Sequence, residues 1–295
     1  LRSLGNTREP LYFLTFSSGL NLVLDVLFVI GLGMGLPGAG VATVISQWVL
    51  AMLMIWKMIR LDVRYNLQIT RLFGGLEELP EIIHTGLPSG MQAVFMSISS
   101  LLIQDSINSF GADAAAGMVV FARVEGFLYY PAFSYGMALT GFIGQNYGAG
   151  KMDRVQEGMK KSILTLSAFT VAAGGILMLA APVILKLFTS DPEILRNGQQ
   201  AILCIFPFYF LYAINQVYIG GLKGLGHTGF PMLCSLLCYC IFRVVWCRIL
   251  LLLFWDIRVI YFSYDVSWII MIALLVSQYQ KNAILYGFGL HSVLR

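Results

Sequence analysis

Asn21 and Asp25 stand four residues apart in LYFLTFSSGLNLVLDVLFVI, the twenty residues from Leu11 to Ile30. On a helix this spacing sets both side chains on one face, one turn apart. A carboxylate stacked on an amide oxygen is a hard-oxygen pair that suits a small cation or a proton. Asp25 is also the one charged side chain of the stretch. At about 1.5 Å per residue the stretch spans a bilayer core of about 30 Å, where an acid costs about 2.5–3.5 kcal/mol on insertion scales. Intramembrane acids mark ion or proton paths. The plainer alternative is a structural Asp bonded to a polar group of a neighbouring helix.

The elements that must position this pair follow from composition. The chain has 295 residues, 58% hydrophobic and 12% charged, against about 25% charged in soluble domains. It therefore reads as an integral membrane protein. Apolar runs near twenty residues long imply helices, since barrel strands would alternate at a period of two. Eight spans are expected, near 11–30, 38–58, 87–110, 115–146, 162–187, 197–221, 230–254 and 259–280. The third and fourth are the least apolar and are expected to face protein or water more than lipid.

Positive charge orients the spans. Arg2, Arg8, Lys57, Arg60, Arg64, Arg71, Lys151, Arg154, Lys160, Lys161, Lys223 and Lys281 cluster on one side; Lys186, Arg196 and Arg258 fall on the other. The positive-inside rule then makes both termini cytoplasmic, in a multi-pass protein of the inner (plasma) membrane. The net charge of +4 needs no further partner, and no basic stripe with interleaved aromatics points to nucleic acid.

Several other chemistries lack their motifs. Cys204, Cys234, Cys238, Cys240 and Cys247 lie in apolar segments at no zinc spacing, and an odd count is not a disulfide framework. His84, His227 and His291 have no nucleophile or acid beside them in a recognisable motif. The glycines from Gly141 to Gly150 lack the Lys-Ser/Thr ending of a phosphate loop. Enzymatic catalysis, ATP-driven transport and an organic cofactor are all unsupported.

The loop from Leu61 to Thr85 mixes Arg64, Arg71, Glu77, Glu78, Glu81 and His84 with Leu, Ile and Phe. It reads as an amphipathic segment on the inner membrane surface or as a solvated linker. It marks a boundary between lobes. An internal repeat agrees: LRSLGNTREP at 1–10 aligns without gaps on LKGLGHTGFP at 222–231. Repeated halves with a site between them characterise secondary transporters. The first copy has only two spans before the boundary, whereas four spans precede the second copy in its lobe. The expectation is a fragment: 1–58 as a two-helix remnant of a first lobe, 59–86 as a cytoplasmic inter-lobe loop, 87–281 as a six-helix second lobe, and 282–295 as a tail. Residue 1 is Leu, and no signal-peptide pattern precedes the first span.

These stretches resemble the multidrug and toxic compound extrusion (MATE) family. The resemblance rests on LRSLGNTREP, on NLVLD with the following GAGVATVISQ, on GLPSG at 86–90, on INSFG at 107–111, and on GQNYGAGKMDR at 144–154. It runs from residue 1 to about 280 and matches the family's last eight helices of twelve. It implies an all-α, two-lobed antiporter that exports amphipathic, often cationic organic compounds as Na⁺ or H⁺ runs inward. The family's first-lobe cation site places an Asn and an Asp one turn apart and a Thr on the next helix. Those positions are Asn21, Asp25 and Thr43 here. A further Asp, on the family's first helix, has no counterpart in this chain. Some branches carry a Glu about eight residues after the Pro of GLP, where this chain has Met96, so a cation site there is not expected.

Other polar residues are candidates for a drug cavity. Gln92, Gln104, Asp105 and Asn108 lie on the third span, and the last two could instead meet water at the outer interface. Arg123 and Glu125 on the fourth span point apart, so each needs a partner on another helix or a wet cavity. They read as cross-links between helices or as ligand contacts. Pro131 is expected to kink that span. Arg243 and Arg248 are expected to snorkel toward the interfaces. Met and aromatic side chains such as Met91, Met96, Phe127, Tyr129 and Tyr135 would suit promiscuous binding of flat cations. Two rivals share these features: a flippase of lipid-linked sugars, which would want more Arg and Lys for a pyrophosphate, and a non-transporting truncated membrane protein. The expected partners are organic cations and the lipid bilayer, with the protein monomeric.

Overall fold

In lipid the backbone must satisfy its own N–H and C=O groups, and this chain does so with helices. The computed structural model describes residues 6–61 and 79–285. Residues 1–5 of the first repeat copy, the amphipathic segment with Arg64, Arg71, Glu77 and Glu78, and the tail with His291 lie outside the described residues. No strand occurs among the described residues. Two compact units share them, the first ending at Leu79 and the second beginning at Pro80.

The first unit is an antiparallel hairpin. Helix α1 (Arg8–Asp25) continues into one π-helical turn, Val26–Gly31, and helix α2 (Gly35–Ile59) returns. Gly33 and Gly35 make the reversal at φ 63° and 61°, a region that side chains with a Cβ avoid. Three contacts fix the register: Lys57 to Glu9 at 2.6 Å, Ser17 Oγ to the Ser46 carbonyl at 2.7 Å, and Gly38 against Phe28. Gly38, Ala42 and Ser46 form a buried stripe at i, i+4 and i+8. Small residues at that spacing let two membrane helices approach closely.

The second unit holds α3 (Leu79–Asn108), α4 (Ala112–Gly148), α5 (Met152–Ile184), α6 (Pro192–Ile205) and α7 (Tyr209–Gly224). After these come α8 (Gly229–Ser235), a π-helical stretch Leu236–Phe242, α9 (Arg243–Leu253) and α10 (Arg258–Leu285). Asp191 caps α6 by accepting from the Glu193 amide at 2.9 Å, with Pro192 in the first turn where its missing N–H is harmless. Pro207, within the 3₁₀ turn Phe206–Phe208, breaks α6 from α7.

Helix α4 is the hub. Phe121, Val124, Leu128, Ala132, Leu139 and Ile143 recur at helical spacing and are buried, packed on α5, α6 and α7. Glycines allow the closest crossings: a Cβ on Gly136 would lie 2.9 Å from the Gln216 carbonyl oxygen, and one on Gly117 would strike Asn197. Pro131 sits inside α4, which continues through it as one helix. Helix α3 runs parallel to α8–α9. Gln92 Nε2 donates to Ser235 Oγ at 2.8 Å, Ser99 Oγ to the Tyr239 carbonyl, and Arg248 to Asp105 at 3.0 Å.

Among the described residues, seven helical segments are long and apolar enough to cross a membrane. They include the broken α6–α7 and the α8–α9 segment. Helix α4, the remaining expected span, is 37 residues long and is not among the seven. The repeat also has a structural counterpart: Arg8 and Gly229, which the alignment pairs, each open the helix that follows.

Candidate functional site

The π turn begins directly after Asp25. Such turns interrupt the i→i−4 ladder and often accompany functional positions. Asn21 Nδ2 and Asp25 Oδ1 are both buried with no hydrogen-bond partner among the described residues. A buried polar atom without a partner calls for an explanation. Thr43 is exposed, and its Oγ1 donates to the Ala39 carbonyl at 2.9 Å. With Ser17 paired to Ser46 and Phe28 to Gly38, antiparallel register sets Asn21 level with the Ala42–Thr43 turn of α2. The carboxylate, the amide oxygen and the hydroxyl are oxygen donors of the kind that holds a small cation, and the carboxylate alone suffices for a proton. Among the described residues no group of three or more His, Cys, Asp or Glu converges on a metal position.

The second unit contains two adjoining cavities that share Met96 and Tyr239. The first, about 300 Å³, lies among α3, α4, α7, α9 and α10, with Glu125 and Arg243 in its wall beside Tyr129, Tyr212, Tyr264 and Trp268. Tyr209 OH donates to Glu125 Oε1 at 3.2 Å. Tyr129 stacks on Tyr212 with centroids 5.6 Å apart, and Trp268 closes edge-on against Tyr209 at 5.4 Å. The second cavity, about 370 Å³, is more apolar; Gln92, Gln216 and Lys223 supply its polar groups. Flat faces around one carboxylate can bind a flat organic cation by stacking and by charge.

Gln92 lies in the wall of the second cavity and Glu125 in that of the first. Gln104 donates to Asn108 one turn on, at 2.9 Å. Asp105 pairs with Arg248, both exposed, and this pair ties α3 to α9. Arg123 is exposed on α4.

The expectation that Arg243 snorkels is corrected. It is 8% exposed and lies over the Tyr264 and Tyr239 rings at 4.2 and 4.6 Å, while its Nε donates to Ser267 Oγ at 2.8 Å. Two aromatic faces and a hydroxyl supply what the interface was expected to supply. Sequence reasoning also missed Asp265, 4% exposed, with neither carboxylate oxygen bonded among the described residues. Its signal was present: an acid in the middle of an apolar span, the same signal that singled out Asp25. Asn215, fully buried on α7, donates to the Trp268 carbonyl at 3.2 Å.

Helices broken beside ionisable residues, and aromatic cavities inside a helical unit, belong to a known architecture. The family profile MatE matches residues 88–249, more than half of the chain. The chain belongs to the MatE family. Members of that family are transporters and not enzymes. A probable multidrug resistance protein NorM of Thermotoga maritima is 28% identical over 92% of this chain and 58% of its own length. The probable multidrug resistance protein YpnP of Bacillus subtilis is 27% identical over 77% of this chain and 50% of its own. An FAD transporter of Shewanella oneidensis is 28% identical over 66% and 44%. The chain thus spans about half the length of the curated relatives it matches. A crystal structure of MATE in complex with MaL6 superposes with a TM-score of 0.85 at 19% identity, over 93% of this chain and 62% of that one. An outward-facing multidrug resistance MATE family transporter gives 0.83 at 20%, over 92% and 61%. The MatE architecture is therefore the fold of this chain.

Proposed function

We propose that this chain is part of a secondary antiporter that exports amphipathic organic cations in exchange for Na⁺ or H⁺. The observation that carries the reading is the Asn21–Asp25 pair, whose Nδ2 and Oδ1 atoms are buried without a partner in an apolar helix. Curated relatives described as probable multidrug resistance proteins supply the substrate class. In this reading Asp25 binds the coupling ion, Asn21 and Thr43 add oxygens to it, and the cavity beside Glu125 takes the drug. Binding of either ligand weakens the hold on the other, as exchange requires. The protein acts as a monomer in the inner membrane, with both termini cytoplasmic.

The test is efflux of ethidium from cells lacking their own exporters, with the protein expressed from its complete gene. Asp25→Asn should reduce cation-driven efflux to the vector background at unchanged membrane abundance. Efflux at the wild-type rate would remove Asp25 from the mechanism.

A further inference from the structure

Asp265 lies on α10, buried to 4% exposure, and neither Oδ1 nor Oδ2 has a hydrogen-bond donor among the described residues. An ionised carboxylate in that position gives up its hydration and gains no donor in return, which is costly in a low-dielectric interior. A carboxyl carrying a proton is free of that penalty.

Apart from Arg243, the buried titratable groups on the elements around α10 are thiols and phenols. Helix α7 brings Tyr209, Tyr212 and Tyr218, α8 brings Cys234, the π stretch brings Cys238, Tyr239 and Cys240, and α9 brings Cys247, while half-buried Cys204 lies on α6. On α10 itself, Tyr261 and Tyr264 flank Asp265, while Arg258 at the helix start is engaged by Asp256 at 2.7 Å. Arg243 lines the same cavity as Glu125, and it is held on α10 by Tyr264 and Ser267, which bracket Asp265 in the chain. Arg243 forms no direct ion pair with either acid among the described residues; it rests on two tyrosine rings and Ser267. It is therefore a buried cation that borders the Glu125 cavity and touches the helix that carries Asp265.

We propose that Asp265 is a proton-binding site of the second unit, and that Arg243 links its protonation to occupancy of the Glu125 cavity by an organic cation. The cation half of this link rests on the drug-cavity reading above. A cation that enters beside Glu125 offsets the negative potential that Glu125 sets against the positive potential of Arg243. The net potential at Asp265 then becomes more positive, its O–H bond breaks, and the proton passes to bulk water, leaving the carboxylate. By linkage, protonation of Asp265 weakens cation binding by the same factor. That is the sign an antiporter requires, and it is reached without Asn21 or Asp25.

The experiment uses the detergent-solubilised protein expressed from its complete gene, with tetraphenylphosphonium as the cation. In the ligand-free protein, infrared spectra should contain a protonated-carboxyl band that titrates with buffer pH and is missing in Asp265→Asn. This readout does not depend on export, and its absence overturns the proton site whatever becomes of the drug reading. On adding tetraphenylphosphonium in weak buffer, wild type should release a proton that Asp265→Asn does not release. Asp265 should make wild-type affinity fall as pH falls, by at most about tenfold per pH unit, the limit for one proton exchanged per cation. In Asp265→Asn that part of the pH dependence should vanish. Equal proton release from Asp265→Asn and wild type overturns the link. A titrating band without any cation binding keeps the proton site and overturns the drug cavity. Should Asp265→Asn fold poorly, Asp265→Glu keeps a carboxyl in place; a band unmoved by that change belongs to another residue and overturns the assignment.

Discussion

The alignment that pairs Leu1 with Leu222 sets Asn21 opposite Phe242 and Asp25 opposite Trp246. One hairpin thus carries an amide and an acid a turn apart, where the other carries two rings with centroids 5.5 Å apart. In the second hairpin Arg243 is opposite Leu22, one residue after Asn21, and Asp265 on the returning helix is opposite Val44, one residue after Thr43. Ser46 and Ser267 occupy matching places and both stabilise the local fold, the first lending its carbonyl to Ser17 and the second its hydroxyl to Arg243. The repeat therefore preserves where helices start and how they pair, while the chemistry on them is free to differ. A shift of one residue turns a side chain by about 100° around a helix, enough to change which neighbour it meets.

Removing Arg243 tests the comparison hardest. The first unit holds an orphaned acid on its own; the second holds two acids around one buried cation. Arg243→Leu should destabilise the protein by about 3–5 kcal/mol, the usual loss when one partner of a buried charge group is deleted. Asp25→Asn should cost far less stability, because no buried cation loses its counter-charge. Thermal unfolding of the two variants in detergent measures the difference. An Arg243→Leu protein as stable as wild type would mean that the two acids do not need the guanidinium.

Packing supplies the next contrast. A Cβ on Gly220 would run into the Gly136 carbonyl oxygen at the α4–α7 crossing, whereas one on Gly40 of α2 meets nothing within 4 Å. Gly220→Leu should destabilise by about 1–3 kcal/mol or more through overpacking, and Gly40→Leu should leave the unfolding temperature unchanged or raise it, since Gly is the poorer helix former. Unfolding scans on both variants separate a packed unit from a lipid-facing helix. Equal losses would show that α2 is covered by something beyond its hairpin partner.

How much of this was legible beforehand depends on what each residue meets. The helical class, the spans and the Asn21–Asp25 spacing follow from hydropathy and a 3.6-residue period, which are local properties. Arg243 and Asp265 carry the same local signal as Asp25, yet their surroundings come from α4, α7 and α10, up to 118 residues away along the chain in the case of Glu125 and Arg243. An arginine near the middle of a span reads as snorkelling until two tyrosine faces are known to enclose it. Arg123 shows the converse: its charge invited a buried role, but its position on α4 points it outward, away from the face that holds Phe121, Val124 and Leu128.

The smallest expected effect lies at the turn between α9 and α10, where the second hairpin carries an ion pair and the first turns on Gly33 and Gly35. Asp256 accepts from Arg258 Nε at 2.9 Å and from its backbone amide at 2.9 Å, and these bonds hold its carboxyl below the ordinary carboxylate range. A depressed acid contributes stability above its unfolded pKa and loses it as pH falls through the folded value. Because the pair is open to solvent, the contribution is small and screened by salt. Asp256→Asn should therefore lower the unfolding temperature slightly at neutral pH and low salt, with the gap to wild type closing as the buffer is taken below pH about 4. A gap that stays constant with pH would assign the effect to the turn's backbone geometry, and the second hairpin would then close as the first does, by conformation alone.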